Sequence, residues 1–567
     1  MMSLISNTKS TWRKIPCKVV LSFRFINCNS CGVELQNMET HGKGYYITPK
    51  VKPKQDTIQD IKYLLFSQDV QNFHESHDED GSNIANIHST KSNHRSSLIC
   101  KRCSDLLYQN KYNIKDFNSV SLAKIMENVP KQSRIMQMAP LNEFPFHINK
   151  KLLLDKNYKQ TLVLTKSDQL ISKKYLLPKI LPHFLQSFFK VHLDVKDPFP
   201  IIAISTKKKW NIASLLSMIG KESYLIGNAN VGKSTLINLL VRSYLGFKVY
   251  FDRKGKVVMP KNLESITDTN MNSFIKEQEA GVSYVPNMTQ SMQPYKIRDR
   301  IIYDMPGYSD EHSNGGFNLE SIINKEWLQR IRKTELQNHR RVKTKPYSSF
   351  TGSENGAVYT VGGFLYLKAP PNTINKITKY IPGEPKIFHD MDKALQVFQQ
   401  CLESSLTSNH PLTKFCGILP ILCNKDSFVR HIIPPFQGSI EIVLKDIGYM
   451  LLRPTGAYSF NGLYEIWVPK GIEVCIREPL ERTIEICNEH YLQDKTVASL
   501  CPKDRPLISS TYPMPNDETD LLSKMQSMYI ERTSHDLMNQ KHINDNPIDI
   551  VSKLHPIPPN LYWYYTW

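Results

Sequence analysis

The sequence predicts an α/β protein with a cysteine-rich amino-terminal module. Three observations carry that prediction. An apolar strand runs through a glycine-bracketed turn into an amphipathic helix at 223–238 (SYLIGNANVGKSTLIN). Short buried-strand patterns alternate with helical ones from about 117 to 337, and two Cys-x2-Cys pairs stand near the amino end. At 567 residues the chain is too long for one hydrophobic core. Its 72 Lys and Arg against 53 Asp and Glu give a net charge of +19, which suits an extended polyanion, RNA or an anionic membrane face, and equally a basic solvated surface. Eleven cysteines in so long a chain do not make a disulfide scaffold.

Residues 1–26 read as a mitochondrial targeting segment. No Asp or Glu occurs in the first 33 positions, and Lys9, Arg13, Lys14, Lys18 and Arg24 are spread among Ser, Thr and apolar residues. No run reaches the roughly 18 apolar residues of a membrane span, so a soluble mitochondrial matrix protein is expected. A second module is assigned to 27–116. Cys28 and Cys31, with Cys100 and Cys103, form two knuckles whose four thiolates would close a tetrahedral zinc site. Between them, 52–97 is rich in Gln, Asn, Asp, Ser and His, too polar to fold alone, and is expected as a disordered insertion.

The third module is assigned to 117–337. Strands at 134–138 and 161–164 come first, the second ending in Thr165-Lys166-Ser167-Asp168, close to the N-K-x-D turn by which GTPases read guanine. There the Asp carboxylate accepts from guanine N1–H and the exocyclic amine, and the Lys stem lies along the base. A strand at 200–204 then delivers Ser205-Thr206-Lys207, similar to the S-A-K turn at guanine O6; each turn alone could be an ordinary polar strand-to-helix connection. Next, Gly227, Asn228, Ala229, Asn230, Val231, Gly232, Lys233, Ser234 and Thr235 form a phosphate-binding loop. Its N–H groups and Lys233 face β- and γ-phosphates, the Ser234 hydroxyl suits Mg²⁺, and the helix that follows directs its positive end at the same anion. Thr289 falls in the window of a switch threonine that completes Mg²⁺ coordination. The strand 300–303 delivers Asp304-Met305-Pro306-Gly307, a D-x-x-G match in which Asp304 serves Mg²⁺ and the Gly307 N–H the γ-phosphate. Tyr308 stands where many GTPases carry a water-orienting Gln, which implies slow hydrolysis. Lys233, Thr289 and Gly307 are therefore the expected catalytic positions.

The guanine-reading turns precede the phosphate loop, the reverse of the usual order. The chain thus resembles the circularly permuted GTPases. With its Cys-x2-Cys pairs and the order TKSD, STK, GNANVGKS, DMPG, it is similar to the bacterial YqeH family and its fungal mitochondrial genetic interactor of prohibitins branch. The resemblance extends to Ala357–Gly363, Asp446–Tyr449 and Tyr464–Arg477 in the fourth module, 338–567. It implies a zinc module, a circularly permuted P-loop GTPase domain and a carboxy-terminal β-rich α+β domain that binds RNA or another partner. The implied ligands are GTP or GDP, Mg²⁺, Zn²⁺ and a potassium ion held by Asn230. The implied role is assembly of the mitochondrial small ribosomal subunit on its rRNA. Thr165 replaces the family Asn, and Lys209 and Asn211 stand where such turns often have Gly; Asn142 and Glu143 receive no role. The connector 339–345 (HRRVKTK) suits either phosphate contact or a solvated linker, and the tail 561–567 (LYWYYTW) packing on its own domain rather than base stacking. A competing expectation is a nucleotide-dependent scaffold at the inner membrane, involved in prohibitin function and mitochondrial lipid metabolism. A metabolic kinase leaves the guanine motifs unexplained.

Overall fold

Continuous apolar runs give strands buried on both faces, and these strands build the centre of the molecule. In the computed structural model, the residues described are 27–47 except 41, 98–251 except 114, 115, 194 and 196, 257–258, 268–309, 319–332, 348–351, 357–405, 416–419, 425–433, 439–455, 464–494, 508–510 and 512–514. The expected targeting segment, the 52–97 insertion, the connector 339–345 and the tail 561–567 lie outside them. Packing divides the chain into two units. Of the smaller, 27–28, 33–47 except 41, and 98–101 are described; isolated bridges pair Asn27 with Glu34 and Gln36 with Tyr45, and the Lys101 N–H donates to Tyr45 O at 2.7 Å. Helix α1 (Lys101–Gln109) follows.

The second unit contains 29–32 and everything from 102 onward. Strands β1 (Arg134–Pro140), β2 (Lys159–Thr165), β3 (Ile201–Ala203), β4 (Glu222–Ile226) and β5 (Phe247–Lys248) belong to one sheet, and β6 (Tyr250–Phe251) and β7 (Val257–Val258) to a separate two-stranded ribbon. With β8 (Gln293–Ile297) and β9 (Arg300–Asp304) the large sheet has the order β3-β2-β1-β4-β9-β8-β5. Its first five strands are mutually parallel, and β8 and β5 extend it antiparallel. From β1 the chain moves outward through β2 and β3, then returns to place β4 on the other side of β1. That reversal opens a crevice at the carboxyl ends of the strands, the place where open α/β sheets bind ligands.

Helices cover the sheet: α2 (Ser167–Leu170), α3 (Leu176–Leu193), α4 (Ile212–Met218), α5 (Lys233–Tyr244) and α6 (Asp268–Gln278). Helix α3 buries Leu176, Leu177, Ile180, Leu181, Phe184, Leu185, Phe188 and Phe189, a stripe at helical spacing. Helix α5 buries Leu236, Ile237, Leu240 and Val241 against the sheet while its first residue, Lys233, faces the crevice.

After α7 (Lys325–Arg332) come two antiparallel sheets formed by β10 (Ser348–Thr351), β11 (Val358–Val361), β12 (Leu365–Lys368), β13 (Ile374–Tyr380), β14 (Pro385–Phe388), β15 (Phe428–Ile433), β16 (Ile440–Leu444), β17 (Gly448–Thr455), β18 (Tyr464–Pro469), β19 (Val474–Arg477), β20 (Ile508–Ser510) and β21 (Tyr512–Met514). Their orders are β10-β13-β17-β16-β19-β20 and β14-β11-β12-β18-β15-β21. Leu365, Leu367 and Ile466 of one sheet share a core with Ile377, Ile442, Met450 and Leu452 of the other, and Trp327 of α7 packs into it. Helices α8 (Met391–Ser405) and α9 (Leu480–Asp494) complete the region. The α3 stripe meets Tyr449, Cys475, Leu480, Ile484 and Ile508 in one continuous core.

Candidate functional site

The carboxyl ends of β1, β2, β4 and β9 surround a pocket of 1120 Å³. At one end the turn after β4 wraps around Lys233. Gly232, at φ +103, adopts a conformation that a side chain would strain, and a Cβ on Gly307 would stand 2.9 Å from Ala229 Cα. The glycines therefore let the two loops close on each other. Lys233 Nζ donates to the Gly227 and Asn228 carbonyls, both at 2.7 Å. Burial pushes the Lys233 pKa down to about 8, against the opposing charge of Asp304. An anion in the pocket would return a counter-charge to this ammonium.

The oxygens expected at magnesium converge beside it. Ser234 Oγ donates to Asp304 Oδ2 at 2.7 Å and lies 3.2 Å from Thr289 Oγ1, which is 3.5 Å from the same carboxylate oxygen. Burial raises the Asp304 pKa, while Ser234, Lys233, Lys248 and Thr289 pull it down. Asp304 Oδ1 is buried with no hydrogen-bond partner among the described residues. Three hard oxygen donors and one orphaned carboxylate oxygen fit a small divalent cation. Ala229, Asn230, Val231, Thr235 and Gly307 line the same pocket. Tyr308 does not. It is buried with Ile125, Val129, Tyr303 and Met305, so its ring serves packing.

At the other end lie Thr165, Lys166, Asp168, Thr206 and Lys207. The Thr165 hydroxyl donates to Val231 O at 2.6 Å and so ties this turn directly to the loop after β4. Lys166 sits at φ +52 and Asp168 in the first turn of α2. Ser167 N–H donates to Ile204 O at 3.2 Å, joining the ends of β2 and β3, and Ser205 Oγ accepts from Lys208 N–H at 3.0 Å. Lys209 and Asn211 have φ of +53 and +58, the left-handed region that glycine enters freely; Asn211 also donates from Nδ2 to Ala203 O at 2.8 Å.

Residues 27–117 match the family described as the genetic interactor of prohibitins 3 N-terminal domain, and residues 345–553 its C-terminal domain. The protein called genetic interactor of prohibitins 3, mitochondrial, from Zygosaccharomyces rouxii is 46% identical over 548 residues, covering 96% of this chain and 94% of the relative. The chain belongs to the genetic interactor of prohibitins 3 family. Proteins of the same name from Vanderwaltozyma polyspora (45% over 542 residues, 95% of each chain) and Saccharomyces cerevisiae (44% over 559 residues, 98% of each chain) match over a similar length. All three are named as mitochondrial.

In this member of the genetic interactor of prohibitins 3 family, Cys28, Cys31, Cys100 and Cys103 are all buried and form no disulfide. The Cys100 N–H donates to Cys28 Sγ at 3.3 Å in the smaller unit and Arg102 Nη2 to Cys103 Sγ at 3.8 Å in the larger. Two Cys-x2-Cys pairs of buried sulfurs are the soft donors that zinc takes. The same peptides reach the Thr289 loop. The Cys31 carbonyl accepts from Gln290 N–H at 3.0 Å and Ser291 N–H at 3.3 Å, Arg102 donates to Met288 O at 3.4 Å, and Asn287 donates to Phe117 O at 3.0 Å.

Glu143, which has no role from sequence, His147 and Asp446 also line the pocket. The visible signal in the sequence is an acidic residue at a strand end, Glu143. Asp446 lies 303 positions from Glu143, a separation that no local pattern reveals.

Proposed function

We propose that this is a mitochondrial guanine-nucleotide-binding protein, a slow GTPase with a circularly permuted G domain. The observation that supports it best is the convergence of Lys233, Ser234, Thr289 and Asp304 at one end of the pocket whose other end holds Lys166, Asp168 and Lys207. Lys233 exchanges its loop carbonyls for phosphate oxygens, and Gly307, against Ala229, brings its N–H to the terminal phosphate. Ser234, Thr289 and Asp304 would hold Mg²⁺, which supplies charge neutralisation at the β- and γ-phosphates. Asn230, at φ +59 on the pocket wall, is placed to serve a potassium ion. Asp168 accepts from guanine. The order of the motifs along the chain is the permuted one, while their positions around the crevice are those a nucleotide needs.

The basic chain and its zinc module support action in the matrix, on the rRNA of the assembling small ribosomal subunit. The prohibitin in the relatives' names favours a second reading, association with the inner membrane; no helix among the described residues is long and apolar enough to cross it.

Titration with a fluorescent guanine nucleotide tests the first step. Binding to the wild type and its loss in a folded Lys233→Ala variant is the expected result. Asp168→Asn should shift preference from guanosine to xanthosine nucleotides; strict retention of GTP removes the base assignment. Crosslinking the tagged protein to RNA in intact mitochondria tests the role. A focused small-subunit rRNA site lost in Lys233→Ala supports ribosome assembly, whereas diffuse crosslinks with inner-membrane fractionation support the scaffold.

A further inference from the structure

The base end of the pocket is not closed by the parallel sheet alone. Glu143, in the turn that follows β1, is 4% exposed, and its Oε1 lies 3.8 Å from the Lys166 ammonium. Its Oε2 is 2.9 Å from His147 Nε2 and accepts the Asp446 N–H at 2.9 Å. Asp446 belongs to the turn between β16 and β17 and adopts φ +64. The next turns of chain are joined in the same way. Asn142 Nδ2 donates to Gln169 Oε1 at 2.9 Å, and the Tyr449 hydroxyl donates to Gln169 O at 3.0 Å. Arg477, paired with Glu441 at 2.7 Å, donates to Asn142 O at 3.0 Å and Phe144 O at 2.5 Å.

We propose that Glu143 is a positioning residue for the nucleoside base: it fixes Lys166 and, through the Asp446 N–H, makes the β16–β17 turn part of the base pocket. The inference rests on the nucleotide-binding reading above and adds a second body to it. Lys166 is the residue whose stem is expected along the base, and it stands at a left-handed position with its side chain 29% exposed. A buried carboxylate is the one group that both attracts its ammonium and accepts from the opposite sheet. Burial opposes the Glu143 charge, but Lys166, His147 and the Asp446 N–H outweigh it and lower its pKa to about 2, so it is ionised at neutral pH. The side-chain atoms of Glu143, His147 and Asp446 also lie within 4.8 Å of one another, as metal ligands do. Lys166 and the peptide N–H already neutralise and occupy the carboxylate there, which favours an ion-pair network over a cation. Base occupancy and docking of the β16–β17 turn then stabilise each other, as reciprocal linkage requires.

The test is hydrogen exchange of the full chain with and without GDP, beside nucleotide affinity, for the wild type and Glu143→Gln. Glu143→Gln removes the charge that holds Lys166 and leaves only a neutral acceptor for the Asp446 N–H. The expected result is GDP-dependent protection of 446–449 in the wild type. Glu143→Gln should lose it and bind GDP about tenfold more weakly. Wild-type affinity and protection in Glu143→Gln would overturn the role of Glu143 and leave nucleotide binding standing. Absence of GDP binding by the wild type would overturn both. Should Glu143→Gln fail to fold, the wild type decides alone: GDP binding without protection of 446–449 overturns the coupling.

Discussion

Thr165, which departs from the expected Asn, ties two sides of the crevice together. Its hydroxyl donates to the Val231 carbonyl at 2.6 Å and so joins the end of β2 to the loop after β4. Replacing it with valine keeps the shape and leaves that carbonyl without its donor. Thr165→Val should therefore lower unfolding free energy by about 1–2 kcal/mol in denaturant titrations, and an unchanged midpoint would show the bond to be dispensable. Lys209 is the opposite case, a residue that its backbone disfavours. Left-handed conformation costs a residue with a Cβ about 1 kcal/mol, so Lys209→Gly should be neutral to stabilising despite the added freedom of the unfolded chain; a clear loss on thermal unfolding would assign the side chain a role. The identity of the residues at 205–211 was legible in the sequence. Their dihedral angles were not, because Lys carries no left-handed signal.

At the scale of elements, strand and helix existence was the most legible feature, since the strands expected at 134–138 and 161–164 and the helix expected after Gly232 are β1, β2 and α5. The loop at 280–293 was not legible beyond Thr289, because it is held by peptides distant in sequence. The Cys31 carbonyl and Arg102 grip both sides of Thr289 and so hold the loop that presents its hydroxyl to Asp304. A zinc chelator should raise hydrogen exchange at 286–292 and weaken Mg²⁺-dependent more than Mg²⁺-independent nucleotide binding; equal exchange before and after its addition would separate this loop from the cysteines. Strand β15 carries a pH-dependent element. Burial lowers the His431 pKa to about 4, below its unfolded value near 6.5. Stability from the neutral imidazole is thus complete above pH 6.5 and lost as pH falls through 4, about 1–2 kcal/mol once its partial solvent contact is allowed for. His431→Gln should flatten melting temperature across that window, and an unchanged slope would place the acid sensitivity elsewhere.

For the whole molecule, the strand order β3-β2-β1-β4 brings the ends of β2 and β4 to one crevice, so turns far apart in the sequence face each other there. That the TKSD, STK and GNANVGKS turns follow strands was legible in the sequence. What the sequence left hidden is that the region before 337 and the region after 338 share a core, since contacts between α3 and α9 leave no trace in either helix's own periodicity. Leu480, Ile484 and Ile508 are buried with Phe184, Phe188 and Leu185. Burying three such aliphatic side chains is worth roughly 5–9 kcal/mol, comparable with the net stability of a whole domain. A chain ending at 337 should accordingly expose the α3 stripe, bind a hydrophobic dye and unfold at a much lower temperature than the full chain. A truncated chain that melts cooperatively near the full-length temperature and binds guanine nucleotide would show that the permuted sheet folds alone. The β-rich region would then be a partner that docks on a finished nucleotide site, and nucleotide affinity measured with and without it would give the coupling between them directly.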